Sequence, residues 1–217
     1  MPELPAGEGT LLMTDTPISA VVFDVGKVLF EWDLRHLYRK LIAEPAELEW
    51  FVTTVVTPEW HYQADEGRAV PEMVAERSAE FPEHAALIQA WADRFNETIP
   101  GPVPGSIELV EALATRDVPL FAITNFGDEF WAAFCPTQPV FDLFRNIVVS
   151  GTEKLAKPDR EIYALAARRF GHPPETMLFI DDNAANVAAA RDCGWQTHHF
   201  GDAQTLATDL RERGLIA

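Results

Sequence analysis

A chain of 217 residues is long enough for one domain with an insertion and for a sizeable buried core. Its 34 acidic residues against 17 basic ones give a formal charge of -17, which repels nucleic-acid backbones and anionic lipid surfaces and argues against both as partners. The only cysteines, Cys135 and Cys193, form no CxxC pair, so neither a disulfide scaffold nor a thiolate metal site is supported and a reducing, cytoplasmic setting is expected.

Taken in chain order, residues 1–17 (MPELPAGEGTLLMTDTP) carry Glu3, Glu8 and a two-leucine patch, which meets neither the signal-peptide nor the membrane-span pattern. They read as a loose leader in which Met13 is a second potential start. The run Ala20, Val21, Val22, Phe23 has no polar face and predicts a strand covered on both sides, ending at Asp24 shortly before Gly26. Residues 34–99 show no strand pattern. Apolar residues at helical spacing (Leu34, Leu37, Leu41, then Leu87, Trp91, Phe95), punctuated by Pro45, Pro58, Gly67, Pro71 and Pro82, predict four or five short helices.

The stretch IPGPVPGS at 99–106 reads as a return link, with Ser106 as the N-cap of a helix through Ile107, Val110 and Leu113. Strands are then expected at 118–124, 146–149, 177–181 and 195–200, alternating with helices at 159–170 and 184–193. This alternation predicts an α/β fold, a doubly wound parallel sheet formed by 18–33 and 100–217, with a helical bundle at 34–99 inserted after the first strand.

In such a sheet the ligand lies beyond the carboxyl ends of the strands. There the sequence delivers Asp24, then Thr124 and Asn125, then Asp181, Asp182 and Asn183. Lys157 precedes Pro158, and since proline suits the first helical position, Lys157 is expected at an N-cap, where ammonium and helix dipole both favour an anion. Carboxylates converging at one mouth repel one another unless a cation sits among them, and an all-oxygen ligand set suits Mg²⁺. Asp24 is then a candidate nucleophile.

FDVGKV, AITN, KPDREIY and FIDDNAANV, in that order, resemble the four motifs of the haloacid dehalogenase superfamily across most of residues 20–200. The resemblance implies a Rossmann-like core with a helical cap between the first two motifs, and hydrolysis of a small phosphorylated metabolite through an aspartyl-phosphate. Carried over by position, Asp24 is the nucleophile, Thr124 and Asn125 hold the phosphoryl group and Lys157 balances its charge. Mg²⁺ is held by Asp24, Asp181, Asp182 and the Gly26 carbonyl. Lys27, Asn183 and Arg68 are candidate substrate contacts, Arg68 with His61 and Asp65 in a turn around Gly67 within WHYQADEGR.

One position departs from the pattern. Most phosphatases of the family place a second aspartate two residues after the nucleophile, as general acid and base, and here that position is Gly26. The first motif is similar to that of bacterial FDLG-type sugar-phosphate phosphatases, such as glucose-1-phosphate phosphatases, whose anomeric leaving group departs easily. Two alternatives stay open: a 2-haloacid dehalogenase, which also lacks the second aspartate and needs no metal, and a catalytically impaired protein that binds a phosphometabolite. The dehalogenases have hydroxyl residues where this chain has IDDN.

Overall fold

The computed structural model describes residues 16–217, so the expected leader falls almost entirely outside the described residues. Five strands form one parallel sheet in the order β3-β2-β1-β4-β5: β1 (Ala20–Phe23), β2 (Leu120–Thr124), β3 (Asn146–Val149), β4 (Met177–Asp181) and β5 (Gln196–His199). β1 lies in the middle with all four residues fully buried, as expected of a run lacking a polar face.

Successive side chains of a strand point to opposite faces, and the core divides accordingly. Val21, Phe23, Ala122, Leu178 and Ile180 belong to one apolar cluster, whereas Ala20, Val22, Phe121, Ile123 and Phe179 belong to a second. The second is covered by α9 (Arg160–Phe170) and α10 (Ala184–Asp192), through Ile162, Tyr163 and Ala190. The first is covered by α6 (Ser106–Thr115) and α11 (Ala203–Glu212), and it runs without a break into the helices inserted between β1 and β2. The fold is the doubly wound α/β class that the alternation of elements predicts.

The insertion contains α1 (Leu34–Tyr38), α2 (Pro45–Thr54), α3 (Pro58–Asp65), α4 (Val70–Glu80) and α5 (Ala85–Asp93), with 3-10 turns at Pro82–His84 and Phe95–Thr98. Pro45 and Pro58 open α2 and α3, where a missing N–H costs nothing, and the Thr57 hydroxyl accepts the Trp60 N–H as cap. Phe51, Met73, Ile88 and Trp91 are among the fully buried residues about which these short helices pack.

Two local expectations are corrected. Ser106 is the first residue of α6 and not its cap: Gly105, at φ +84°, makes the left-handed turn into the helix, and the Ser106 hydroxyl is buried without a partner among the described residues. Further helices occur where the sequence reading assigned none, at α7 (Asp128–Phe134), α8 (Ser150–Glu153) and α11.

Candidate active site

The strand order turns at β1, with the chain passing to β2 on one side and later to β4 on the other, and this opens a crevice at the carboxyl ends of the strands. Asp24 is the first residue beyond β1, fixed by its N–H to the Ile180 carbonyl (2.8 Å), while its Oδ1 accepts the Val25 N–H (2.6 Å). Lys157 Nζ lies 2.7 Å from Asp24 Oδ1 and 2.8 Å from Asp181 Oδ2, in a position only 2% exposed.

The rest of this wall holds those three groups in place. Asn125 clamps the Lys157 backbone, accepting its N–H at Oδ1 and donating Nδ2–H to its carbonyl, both at 2.9 Å, and the Tyr62 hydroxyl donates to the same carbonyl at 2.8 Å. Asn186 Nδ2 donates to both oxygens of Asp181 at 3.1 Å, and the Asn183 N–H donates to Oδ1 at 2.8 Å. The Asn183 side chain caps α10 through the Ala185 N–H. Asn186 went unnoticed in the sequence reading, although it lies one helical turn beyond Asn183 in the same motif.

One carboxylate oxygen from each of Asp24, Asp181 and Asp182 lies within 4.8 Å of the others. Three carboxylates against one ammonium leave the cluster short of positive charge. Burial pushes the Asp24 carboxyl up to about 7 although Lys157 opposes the shift, and Asp181 and Asp182 push the same way. Burial, with Asp181 beside it, also raises Asp182. Burial works against the charge on Lys157, yet Asp181 and Asp24 more than offset it and hold the ammonium protonated. A divalent cation among these oxygens would neutralise the excess, so the donor set fits Mg²⁺.

A cavity of about 310 Å³ opens over this wall. Its lining includes Asp24, Gly26, Lys27, Asn125, Lys157, Asp182 and Asn183, together with Phe30, Trp32, Phe95, Phe126 and Phe134. The helical insertion contributes His61, Tyr62 and Asp65 from α3. The His61 ring stacks on Trp32 and on Phe95, each at 5.2 Å between centroids, and burial holds its pKa down to about 3. Burial pushes Asp65 up to about 8; the Gly127 amide and Lys157 oppose this, and Asp24 and Glu66 add to it. His61 Nε2 and Asp65 Oδ2 stand 3.7 Å apart, too far for a hydrogen bond, and at neutral pH both groups are uncharged. Among the described residues neither His61 Nδ1 nor Asp65 Oδ1 has a hydrogen-bond partner, and both atoms are buried.

The insertion meets the core beside Asp65 through main chain. At Gly67, with φ +88°, a Cβ would come within 2.9 Å of the Gly151 carbonyl oxygen, while on the core side of that contact a Cβ at Gly151 would come within 2.6 Å of the Asp128 amide nitrogen. No larger residue fits either place without displacing backbone.

Asp24, Gly26, Lys27, Asn125, Lys157, Asp182 and Asn183 thus come together at one cavity, with Asp181 fully buried behind Lys157. Thr124 ends β2, fully buried, with its hydroxyl unpartnered among the described residues and outside the cavity lining. Lys157 is not an N-cap: its own turn, closed by the Asp159 N–H to the Ala156 carbonyl (2.9 Å), precedes α9, and Asp159 occupies the cap position. The segment WHYQADEGR is not a loop, since α3 continues to Asp65 and the chain reverses only at Gly67. Arg68 lies beyond that reversal, where Gln63 Oε1 (2.6 Å) and Glu76 take its guanidinium outside the cavity lining.

Residues 18–194 match the family model of the haloacid dehalogenase-like hydrolases. A sesquiterpene phosphatase of Aspergillus oryzae is 24% identical over 202 residues, covering 91% of this chain and 97% of its own. The magnesium complex of a haloacid dehalogenase family enzyme from Bacteroides thetaiotaomicron superposes with a TM-score of 0.70 at 20% identity, over 89% of this chain and 98% of that one. An L-2-haloacid dehalogenase from Xanthobacter autotrophicus, with chloropropionic acid covalently bound, gives a TM-score of 0.61 at 20% identity over 92% of this chain and 84% of that one. At these identities the two structures speak for the fold.

Proposed function

The chain belongs to the haloacid dehalogenase-like hydrolases, and on that premise we propose that it is a Mg²⁺-dependent phosphomonoesterase acting through an aspartyl-phosphate on Asp24. The observation that carries this reading is the cluster of Asp24, Asp181 and Asp182, whose surplus negative charge asks for a cation that a dehalogenase site does not need. Asp24, Asp181, Asp182 and the Gly26 carbonyl would hold the ion, which when bound draws charge from the phosphoryl oxygens.

The chain's own residues supply the rest. Asp24 presents its carboxylate to phosphorus, and Lys157, held through its backbone by Asn125 and Tyr62, sets a fixed positive charge beside the attacking oxygen. Thr124 and Asn125 are read as contacts to the transferring group, with Lys27 and Asn183 at the rim. The helices of 34–99 act as a cap over a core of 18–33 and 100–217, shielding the reaction from water. A cytoplasmic setting belongs to the same proposal.

For the substrate, the first motif points to a sugar phosphate, whereas the cavity points elsewhere. Five phenylalanine and tryptophan residues line it, giving an apolar alcohol more contact than a sugar, and the likeness to a sesquiterpene phosphatase supports that second reading.

The test is phosphate release from p-nitrophenyl phosphate, glucose-1-phosphate and an isoprenyl phosphate, with Mg²⁺ or EDTA, for wild type and Asp24→Asn. Mg²⁺-dependent release that vanishes in the variant supports the reading. Chloride release from 2-chloropropionate without metal would replace it with the dehalogenase, and binding without turnover would replace it with the impaired binder.

A further inference from the structure

The Gly26 position leaves the leaving-group oxygen without a proton donor. We propose that Asp65, on the cap helix α3, is the general acid and base of this site. The inference rests on the phosphomonoesterase reading and adds a residue to it.

Asp65 lines the same cavity as Asp24 and is only 6% exposed. A buried carboxyl normally spends both oxygens on donors, yet Oδ1 here has no hydrogen-bond partner among the described residues. The groups that face Asp65 are His61 and Glu66 from its own helix, Asp24 and Lys157 from the sheet edge, and the Gly127 amide at the start of α7. Burial among them keeps the proton on Asp65 at neutral pH, as a donor requires. The cavity's other titratable groups are engaged or unsuited: Asp24 attacks, Asp182 belongs to the cation cluster, Lys157 is paired with Asp24 and Asp181, burial leaves His61 with no acidic proton at neutral pH, the Tyr62 hydroxyl is bound to the Lys157 carbonyl, Glu31 is exposed to solvent, and exposed Lys27 lies over the Trp32 ring.

The chemistry balances. As Asp24 bonds to phosphorus, the ester P–O bond breaks with its electron pair moving to the leaving oxygen, which takes the proton of Asp65 and departs as alcohol. The Asp65 carboxylate then removes a proton from water as the water oxygen attacks phosphorus. The bond between phosphorus and Asp24 breaks with its electron pair returning to the carboxylate, releasing phosphate and leaving Asp65 protonated again.

Asp65→Asn keeps shape and hydrogen-bonding capacity but transfers no proton. With Mg²⁺ present, hydrolysis of hexyl phosphate, whose leaving group needs protonation, should fall by about 10²–10⁴-fold. With p-nitrophenyl phosphate the variant should instead release a burst of p-nitrophenolate equal to the enzyme present, then stall as phosphoenzyme, seen by intact mass. Among the described residues nothing lies within 4 Å of where a Cβ at Gly26 would stand, so Gly26→Asp in the same variant should recover hexyl phosphate turnover. Equal losses on both esters without a burst, or no loss, would overturn the role of Asp65 while leaving the phosphatase reading intact. A wild type inactive on every phosphate ester would overturn both.

Discussion

Two walls of one cavity treat their ionisable groups in opposite ways. On the sheet wall Asp24 and Asp181 are buried against the Lys157 ammonium, at 2.7 and 2.8 Å, with Asn125 and Asn186 taking up the remaining polar atoms. On the helical wall His61 and Asp65 are buried as neutral groups, close to each other without a hydrogen bond, among aromatic rings. A site that must hold an anion and also deliver a proton needs both environments, and here the parallel sheet supplies one and a pair of residues one helical turn apart supplies the other.

The contrast can be broken first on the charged wall. Asp24→Asn should lower phosphate release by about 10³-fold or more, with the circular dichroism spectrum unchanged, because nothing else on this wall replaces the nucleophile. Lys157→Met removes the ammonium that Asp24 and Asp181 share. In Mg²⁺-free urea unfolding it should cost about 3–5 kcal/mol, part of it recovered on adding Mg²⁺. A loss below about 1 kcal/mol, unaffected by Mg²⁺, would count against the charge argument.

The neutral wall should respond in the opposite sense. The Asp65 pKa lies at about 8 in the fold against an ordinary 3.8, so between those values the folded chain binds the extra proton and stability falls as pH rises. Asp65→Asn should remove that slope and, at pH 8, raise stability by on the order of 1–3 kcal/mol, as read by Tm across the range. His61, held down to about 3 against 6.5, binds its proton first in the unfolded chain, so stability is lost as pH falls through that window. His61→Phe should flatten this acid limb and change stability at pH 7 by no more than about 1 kcal/mol; an unchanged limb would place the acid sensitivity elsewhere.

The sheet wall was legible in the sequence because strand ends and motif order are local. The expected strands 146–149 and 177–181 coincide with β3 and β4, and Asp24, Asn125 and Asp182 follow from where strands stop. The helical wall was not, because which face of a short helix turns inward depends on its neighbours. WHYQADEGR, around Gly67, looked like a turn, yet the spacing that brings His61 and Asp65 together is that of a helix, and Arg68, with its side chain beyond the reversal, points to Glu76. The Lys157 N-cap failed for a nearer reason: the chain is still turning there, the Asp159 N–H closing onto the Ala156 carbonyl, so the helix begins only at Arg160.

Main-chain contact at Gly67 and Gly151 records the placement of α3 over the sheet as atoms that are missing. A salt bridge or an apolar contact can drift and be repaired by changes around it, whereas a seam of bare backbone has no side chain through which to compensate. One methyl group at Gly67, set against the Gly151 carbonyl oxygen, would act as a shim between the insertion and the core, shifting the wall that carries Asp65 relative to the wall that carries Asp24.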